Sequence, residues 1–219
     1  MCGRLAITLP PDAMAQLFTA VPANNLPVVP NYNVCPTTQI HVVRAGDDVR
    51  LLVSMRWGLL PKWYKSPNDG PLLINARAET IAEKPAFRQA YWERRCLIPA
   101  SGFFEWSKDE NGASLPWYIQ RSDGAPIVLA SIWQEWQSAD GNIATCAVVT
   151  TAANSTMSTV HHRMPVILRP DDFDLWLGQA GKGAAVLMRP CADDELTLFR
   201  VSKKVNSSRA TGPELIEPF

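Results

Sequence analysis

Apolar positions change period along the chain. After a strand-like start from Arg4 to Leu9, Met14, Leu17, Phe18 and Val21 recur at helical spacing behind Pro10-Pro11-Asp12. That pattern predicts an amphipathic helix with proline near its first turn. Pro22 to Pro36 is rich in Pro and Asn and predicts an irregular loop. Ile40 to Ala45 and Val49 to Trp57 read as two strands joined by a Gly-Asp-Asp turn. Pro61 to Gly70 reads as a loop and Pro85 to Arg95 as a helix. Strands are predicted at Cys96–Trp106, Pro116–Gln120, Ile127–Trp133, Thr145–Thr151 and Pro165–Leu168, then a short helix at Asp171–Leu177 and a strand at Leu196–Val201. Strand follows strand with few helices, and no repeat, low-complexity tract or linker interrupts the order. The expected fold is α+β: one domain over residues 1–219, built on a curved, mostly antiparallel, barrel-like sheet with a few flanking helices.

Composition narrows the class. A 219-residue chain that is 47% hydrophobic and 19% charged is globular and large enough for its own core. No apolar run approaches the ~20 residues of a membrane span, and no leader pattern is visible. A protein neither secreted nor membrane-inserted is therefore expected. Cys2, Cys35, Cys96, Cys146 and Cys191 are odd in number, scattered and without a C-x-x-C pair. They indicate neither a disulfide framework nor a zinc site, so a cytoplasmic protein without metal or cofactor is expected. Net charge is zero, which argues against a generic nucleic-acid coat. Even so, Arg200, Lys203, Lys204 and Arg209, and separately Lys84, Arg88, Arg94 and Arg95, form basic clusters. A neutral protein can carry a basic groove, although solvated faces explain either cluster equally well.

The candidate chemistry begins at Met1-Cys2-Gly3-Arg4. Methionine before a small residue is a substrate for removal, which would leave Cys2 with a free α-amine beside its thiol. The α-amine has an intrinsic pKa near ~7.7–8, and the thiolate is the stronger nucleophile. Such a residue can attack a carbonyl twice, by amine and then by sulfur, or use its thiol alone against an amide. An ordinary translation start with a buried cysteine is the plain alternative.

Other segments add partners. In extended chain Asn75, Arg77 and Glu79 share a face backed by Ala76 and Ala78, either an exposed edge or a surface suited to phosphate and sugar. Gly102-Phe103-Phe104-Glu105-Trp106 sets one carboxylate among aromatics, where desolvation favours proton transfer near neutrality. His161 and His162 precede Arg163-Met164-Pro165. Neighbours in extended chain point oppositely, so one of the two histidines is expected at a site, while His41 reads as structural. Most of the tryptophans read as packing. Trp63-Tyr64 lies between Lys62 and Lys65 in a loop, an arrangement suited to stacking on unpaired bases.

Taken together, these segments resemble the SOS response-associated peptidase family. The matching stretches are Met1 to Arg4, Tyr32 to Pro36, Trp57 to Pro61, Asn75 to Thr80, Gly102 to Trp106, His161 to Pro165 and Val201-Ser202. The resemblance implies an enzyme that recognises abasic sites in single-stranded DNA and joins Cys2 covalently to the ring-opened sugar as a thiazolidine. It implies Met1-removing peptidase and lyase-type activities and a monomer associated with bacterial DNA. By the same resemblance Cys2 is the nucleophile, Asn75 holds the amine and sugar, Glu105 transfers protons around the imine and His161 assists ring opening. Arg4, Arg77, Trp63 and Tyr64 resemble DNA contacts, with Asn33 and Pro36 lining the groove. One member of the family carries two tryptophans where this chain has Trp63-Tyr64. Two other readings compete. A glutamine amidotransferase of the N-terminal-nucleophile class needs an Asn-Gly pair, and Asn111-Gly112 sits in a hairpin-turn context. A non-enzymatic single-strand binder would form no covalent product.

Overall fold

The structure is a computed structural model and describes residues 2–23, 25–138 and 141–219. Its strands are β1 (Leu5–Ile7), β2 (Ala20–Pro22), β3 (Asn31–Val34), β4 (Gln39–Ala45), β5 (Arg50–Trp57), β6 (Asn75–Arg77), β7 (Arg95–Ala100), β8 (Gly102–Lys108), β9 (Ser114–Arg121), β10 (Ile127–Ser138), β11 (Gly141–Ala152), β12 (Arg163–Pro165) and β13 (Leu196–Arg200). The helices are short: α1 (Pro11–Phe18), α2 (Arg88–Glu93), α3 (Ser155–Ser158) and α4 (Phe173–Leu177).

One sheet runs β12-β11-β10-β7-β4-β5-β2. Residues Thr145 and Cys146 of β11 also pair in parallel with Arg56 and Trp57 of β5, which closes β11, β10, β7, β4 and β5 into a five-strand barrel. The second sheet runs β13-β9-β8-β1-β3 and is antiparallel throughout. Together they realise the expected α+β domain on a mostly antiparallel, barrel-like sheet.

The long strand β11 organises the site. Past the barrel its two edges change partners: Thr150 to Ala152 pair with β12, and Val148 to Thr150 pair in parallel with β6. Both ends of β6 are fixed, because Val148 N–H donates to Ile74 and Ala78 N–H donates to Thr150.

The main core fills the barrel and the space between the sheets, and Cys2 belongs to it. A smaller core on the other face of β8 and β9 packs Phe104 and Tyr118 against Val201, Val205 and Leu215 of the C-terminal segment. Among the described residues no helix is long and apolar enough to cross a membrane.

Several expected boundaries move, each for a local reason. Helix α1 stops at Phe18 because Thr19 turns left-handed (φ 49°). Val21 therefore leaves the helical pattern and lies 52% exposed in β2, paired with β5. The expected loop Pro22–Pro36 contains β3, whose edge is needed by β1. The helix expected over Pro85–Arg95 shortens to α2, since Arg95 already enters β7 while its guanidinium donates to the Tyr91 and Trp176 carbonyls. The single strand expected at Cys96–Trp106 breaks at Ser101, whose hydroxyl engages Thr8, and its halves join different sheets. Of Pro165–Leu168 only Pro165 lies in β12, and Ile167 forms a lone bridge to Leu129.

Candidate active site

The break at Ser101 aims β8 at the N-terminus. Gly102 allows it, because a Cβ there would stand 2.4 Å from the Tyr118 ring and 2.5 Å from the Ile119 carbonyl. Alternation then puts Phe103 and Glu105 on one face, toward the main core, and Phe104 with Trp106 on the other. Glu105 is 2% exposed.

Cys2 lies fully buried just before β1, held by two hydrogen bonds of its segment. Phe104 N–H donates to the Arg4 carbonyl (3.0 Å). The Asn75 amide nitrogen donates to the Cys2 carbonyl (2.9 Å). The Asn75 Oδ1 is buried and has no hydrogen-bond partner among the described residues. Burial, and secondarily the charge of Glu105, push the Cys2 thiol well above its ordinary pKa, so at neutral pH the sulfur keeps its proton.

His161 arrives from α3, where Asn154 caps the helix by accepting from Met157 N–H (2.8 Å). The ring Nδ1 of His161 stands 4.0 Å from Glu105 Oε1. That nitrogen also accepts from the Arg163 backbone N–H (2.9 Å), which leaves the proton of a neutral ring on Nε2. The Arg163 carbonyl, 3.1 Å from the same nitrogen, can accept from it when the ring is charged. The two histidines do not point oppositely as extended chain would require. They sit outside any strand, with rings stacked at 4.4 Å.

Cys2, Asn75, Glu105 and His161 are thus brought together. The other expected site residues surround them in different states. Arg77 is exposed on β6. Glu79 turns to Arg163, which binds both its oxygens (2.6 and 2.9 Å) and the Thr150 carbonyl. Arg4 donates to Asn33 Oδ1 and to the Val205 carbonyl. Asn33 is buried and its amide nitrogen donates to the carbonyls of Ser207 and Ala210. Both residues therefore fasten the C-terminal segment. Pro36 is half-buried ahead of Thr37, whose φ is 71°. Trp63 is 58% exposed, whereas Tyr64 is half-buried, meets Trp63 edge-on and donates to the Pro71 carbonyl.

Asn111-Gly112 lies in the β8–β9 hairpin turn, organised by Asp109. Among the described residues no cluster of three or more His, Cys, Asp or Glu side chains could hold a metal. The Glu79–Arg163 pair is what the sequence reading missed. Both residues stood inside recognised motifs, but nothing in their spacing told that they meet across β11.

Residues 1–208 match the SOS response associated peptidase (SRAP) family. This chain belongs to that family. It is 34% identical over 224 residues to the abasic site processing protein YoqW of Bacillus subtilis, covering 99% of both chains. It is 31% identical to the abasic site processing protein YedK of Escherichia coli over the whole of both chains. The abasic site processing protein HMCES of Xenopus tropicalis is 28% identical across 98% of this chain and 77% of its own. Among solved structures, a Bacteroides thetaiotaomicron protein superposes with a TM-score of 0.87 at 24% identity over all of both chains, which speaks to the fold.

Proposed function

We propose that this protein processes abasic sites in single-stranded DNA by forming a thiazolidine cross-link through Cys2 after Met1 is removed. The observation that supports this reading is a chain of contacts at buried Cys2: Asn75 holds its carbonyl, the charge of Glu105 acts on its thiol, and the His161 ring stands 4.0 Å from Glu105. The names of full-length relatives support the substrate class.

The chemistry balances without an oxidant or cofactor. Hydrolysis of the Met1–Cys2 peptide bond consumes one water and frees the α-amine. The amine adds to the aldehyde of the ring-opened sugar and expels water, giving an imine. Sulfur then bonds to the imine carbon, its proton passes to nitrogen, and a five-membered ring closes. A protonated thiol needs a base as it adds, and Glu105 is the carboxylate whose charge the sulfur feels. Asn75 holds the Cys2 carbonyl, and its buried, unpartnered Oδ1 is the acceptor we assign to the freed amine. His161, with its proton on Nε2, serves the sugar oxygen during ring opening. Trp63 stacks on a neighbouring base while Arg77 meets phosphate.

Intact-mass measurement and denaturing gels test this. The mature protein should be one methionine lighter and should form a heat-stable adduct with an abasic single strand, and Cys2→Ala should form none. Binding of abasic DNA without any adduct would leave a non-covalent binder and overturn the mechanism.

A further inference from the structure

Next to the loop that carries Trp63, and lined by its neighbour Lys62, lies a cavity that the cross-linking chemistry does not use. Trp133, Glu135 and Gln137 alternate along β10 and line it, together with Lys62 and Arg94, around about 360 Å³. That volume is at the lower end of small-ligand sites, which span roughly 300–1,000 Å³, so it suits one nucleotide rather than a run of them.

The lining is built rather than incidental. The Arg44 guanidinium sits over the Trp133 ring, 5.2 Å from its centroid, and holds it in place. The Arg94 carbonyl accepts from Trp133 N–H (2.9 Å), tying the arginine to the strand. One Arg94 nitrogen pairs with Glu93 (2.7 Å), while its Nε and Nη2 have no acceptor among the described residues. The opposite face of β10 anchors the adjoining loop. Gln134 donates to the Leu60 carbonyl, and Trp136 Nε1 donates to the Tyr64 carbonyl (2.8 Å). Lys62 therefore lines the cavity while its neighbour Trp63 stays exposed.

We propose that this cavity is a subsite for one unpaired base of the bound strand and that it prefers a base carrying an exocyclic amine. The proposal rests on the reading of the protein as a single-strand binder. Trp133 supplies an aromatic surface for the base. The Glu135 carboxylate accepts only, so it suits the amine of cytosine or adenine and opposes the carbonyl that thymine presents there. The Gln137 amide adds a second polar contact, and Lys62 with Arg94 faces the phosphate. Mixed charge fits this occupant better than a bare phosphate, since Glu135 would repel an anion that had no base to offer.

The test compares abasic oligonucleotides whose flanks are all cytosine or all thymine, read by fluorescence anisotropy on the full chain and by adduct yield at saturating DNA. Cytosine flanks should bind about 5- to 10-fold more tightly. Glu135→Gln, a change at an exposed strand position, should erase that difference without lowering adduct yield. Trp133→Ala should weaken binding to both flanks by roughly 10-fold, the worth of one stacked base. Equal affinity for both flanks in the wild type, or an unchanged cytosine preference in Glu135→Gln, overturns the subsite. Absence of adduct on every strand, with the cytosine preference intact, overturns the cross-linking function and leaves the subsite standing.

Discussion

At the scale of single residues, a proton shared among few groups sets what Cys2 can do. Its sulfur is buried and protonated, so sulfur addition depends on a base at the right place. Glu105→Gln keeps the shape and removes the proposed base, and His161→Ala removes the proposed donor to the sugar. Each should slow cross-linking by roughly 10²–10⁴-fold in single-turnover gels while thermal unfolding stays near wild type. Wild-type rates in both variants would remove the assigned roles. The sequence reading singled out these residues because each stands in a short, chemically unusual segment, and the fold brings them near one another. It could not show that Arg163 holds His161 by its backbone and Glu79 by its side chain, since that contact depends on β12 and β6 pairing with the same strand.

At the scale of elements, Trp63 and Arg4 separate two kinds of proposed DNA contact. Trp63 projects from a loop whose other ring, Tyr64, is tied to Pro71. Trp63→Ala should weaken single-strand binding by roughly 1–3 kcal/mol with an unchanged salt slope. Arg4 already bonds to Asn33 and Val205. Arg4→Ala should therefore lower the melting temperature as well as DNA affinity, and an effect on affinity alone would show that its bonds to the C-terminal segment matter little. A second element-level outcome concerns Gly102. Gly102→Ala drives a Cβ into Tyr118 and the β9 backbone, so it should cost about 1–3 kcal/mol in urea unfolding and slow cross-linking by displacing Glu105. Strand existence was legible from alternation, and boundaries were not where a turn or a sheet change overrode it. Ser101 is the clearest case: its neighbours are all buried, so no change of period marks the point where one strand becomes two.

At the scale of the whole molecule, the burial of His41 on β4, beside the Pro27 backbone, couples stability to pH. Burial lowers the His41 pKa below its ordinary value, and the imidazole is 1% exposed. An unfolded imidazole titrates near ~6.5, so below that pH the unfolded chain takes up a proton the folded chain refuses. This contribution is present above pH ~6.5 and is lost progressively as pH falls toward the lower folded value. Urea midpoints at pH 7.5 and 5.5 should differ in the wild type and differ less in His41→Leu. An equal pH effect in both would assign the dependence elsewhere. Glu79 and Glu195, whose pKa values are lowered mainly by Arg163 and Arg169 respectively, act only in more acidic solution. The fold class could be read from the run of strands, but closure could not. It rests on a parallel contact between β5 and β11, and parallel partners far apart in sequence leave no local signature.

That distance also sets a timetable during translation. Cys2 leaves the ribosome long before the strand carrying Glu105 and the turn carrying His161 are made. At ~5–20 residues per second, His161 follows Cys2 by roughly ten to thirty seconds. Under the proposed function, an external peptidase would have that interval to reach Met1. Once the sheets close, Cys2 is buried and its carbonyl is held by Asn75, so under the proposed function any later removal of Met1 falls to groups within the site.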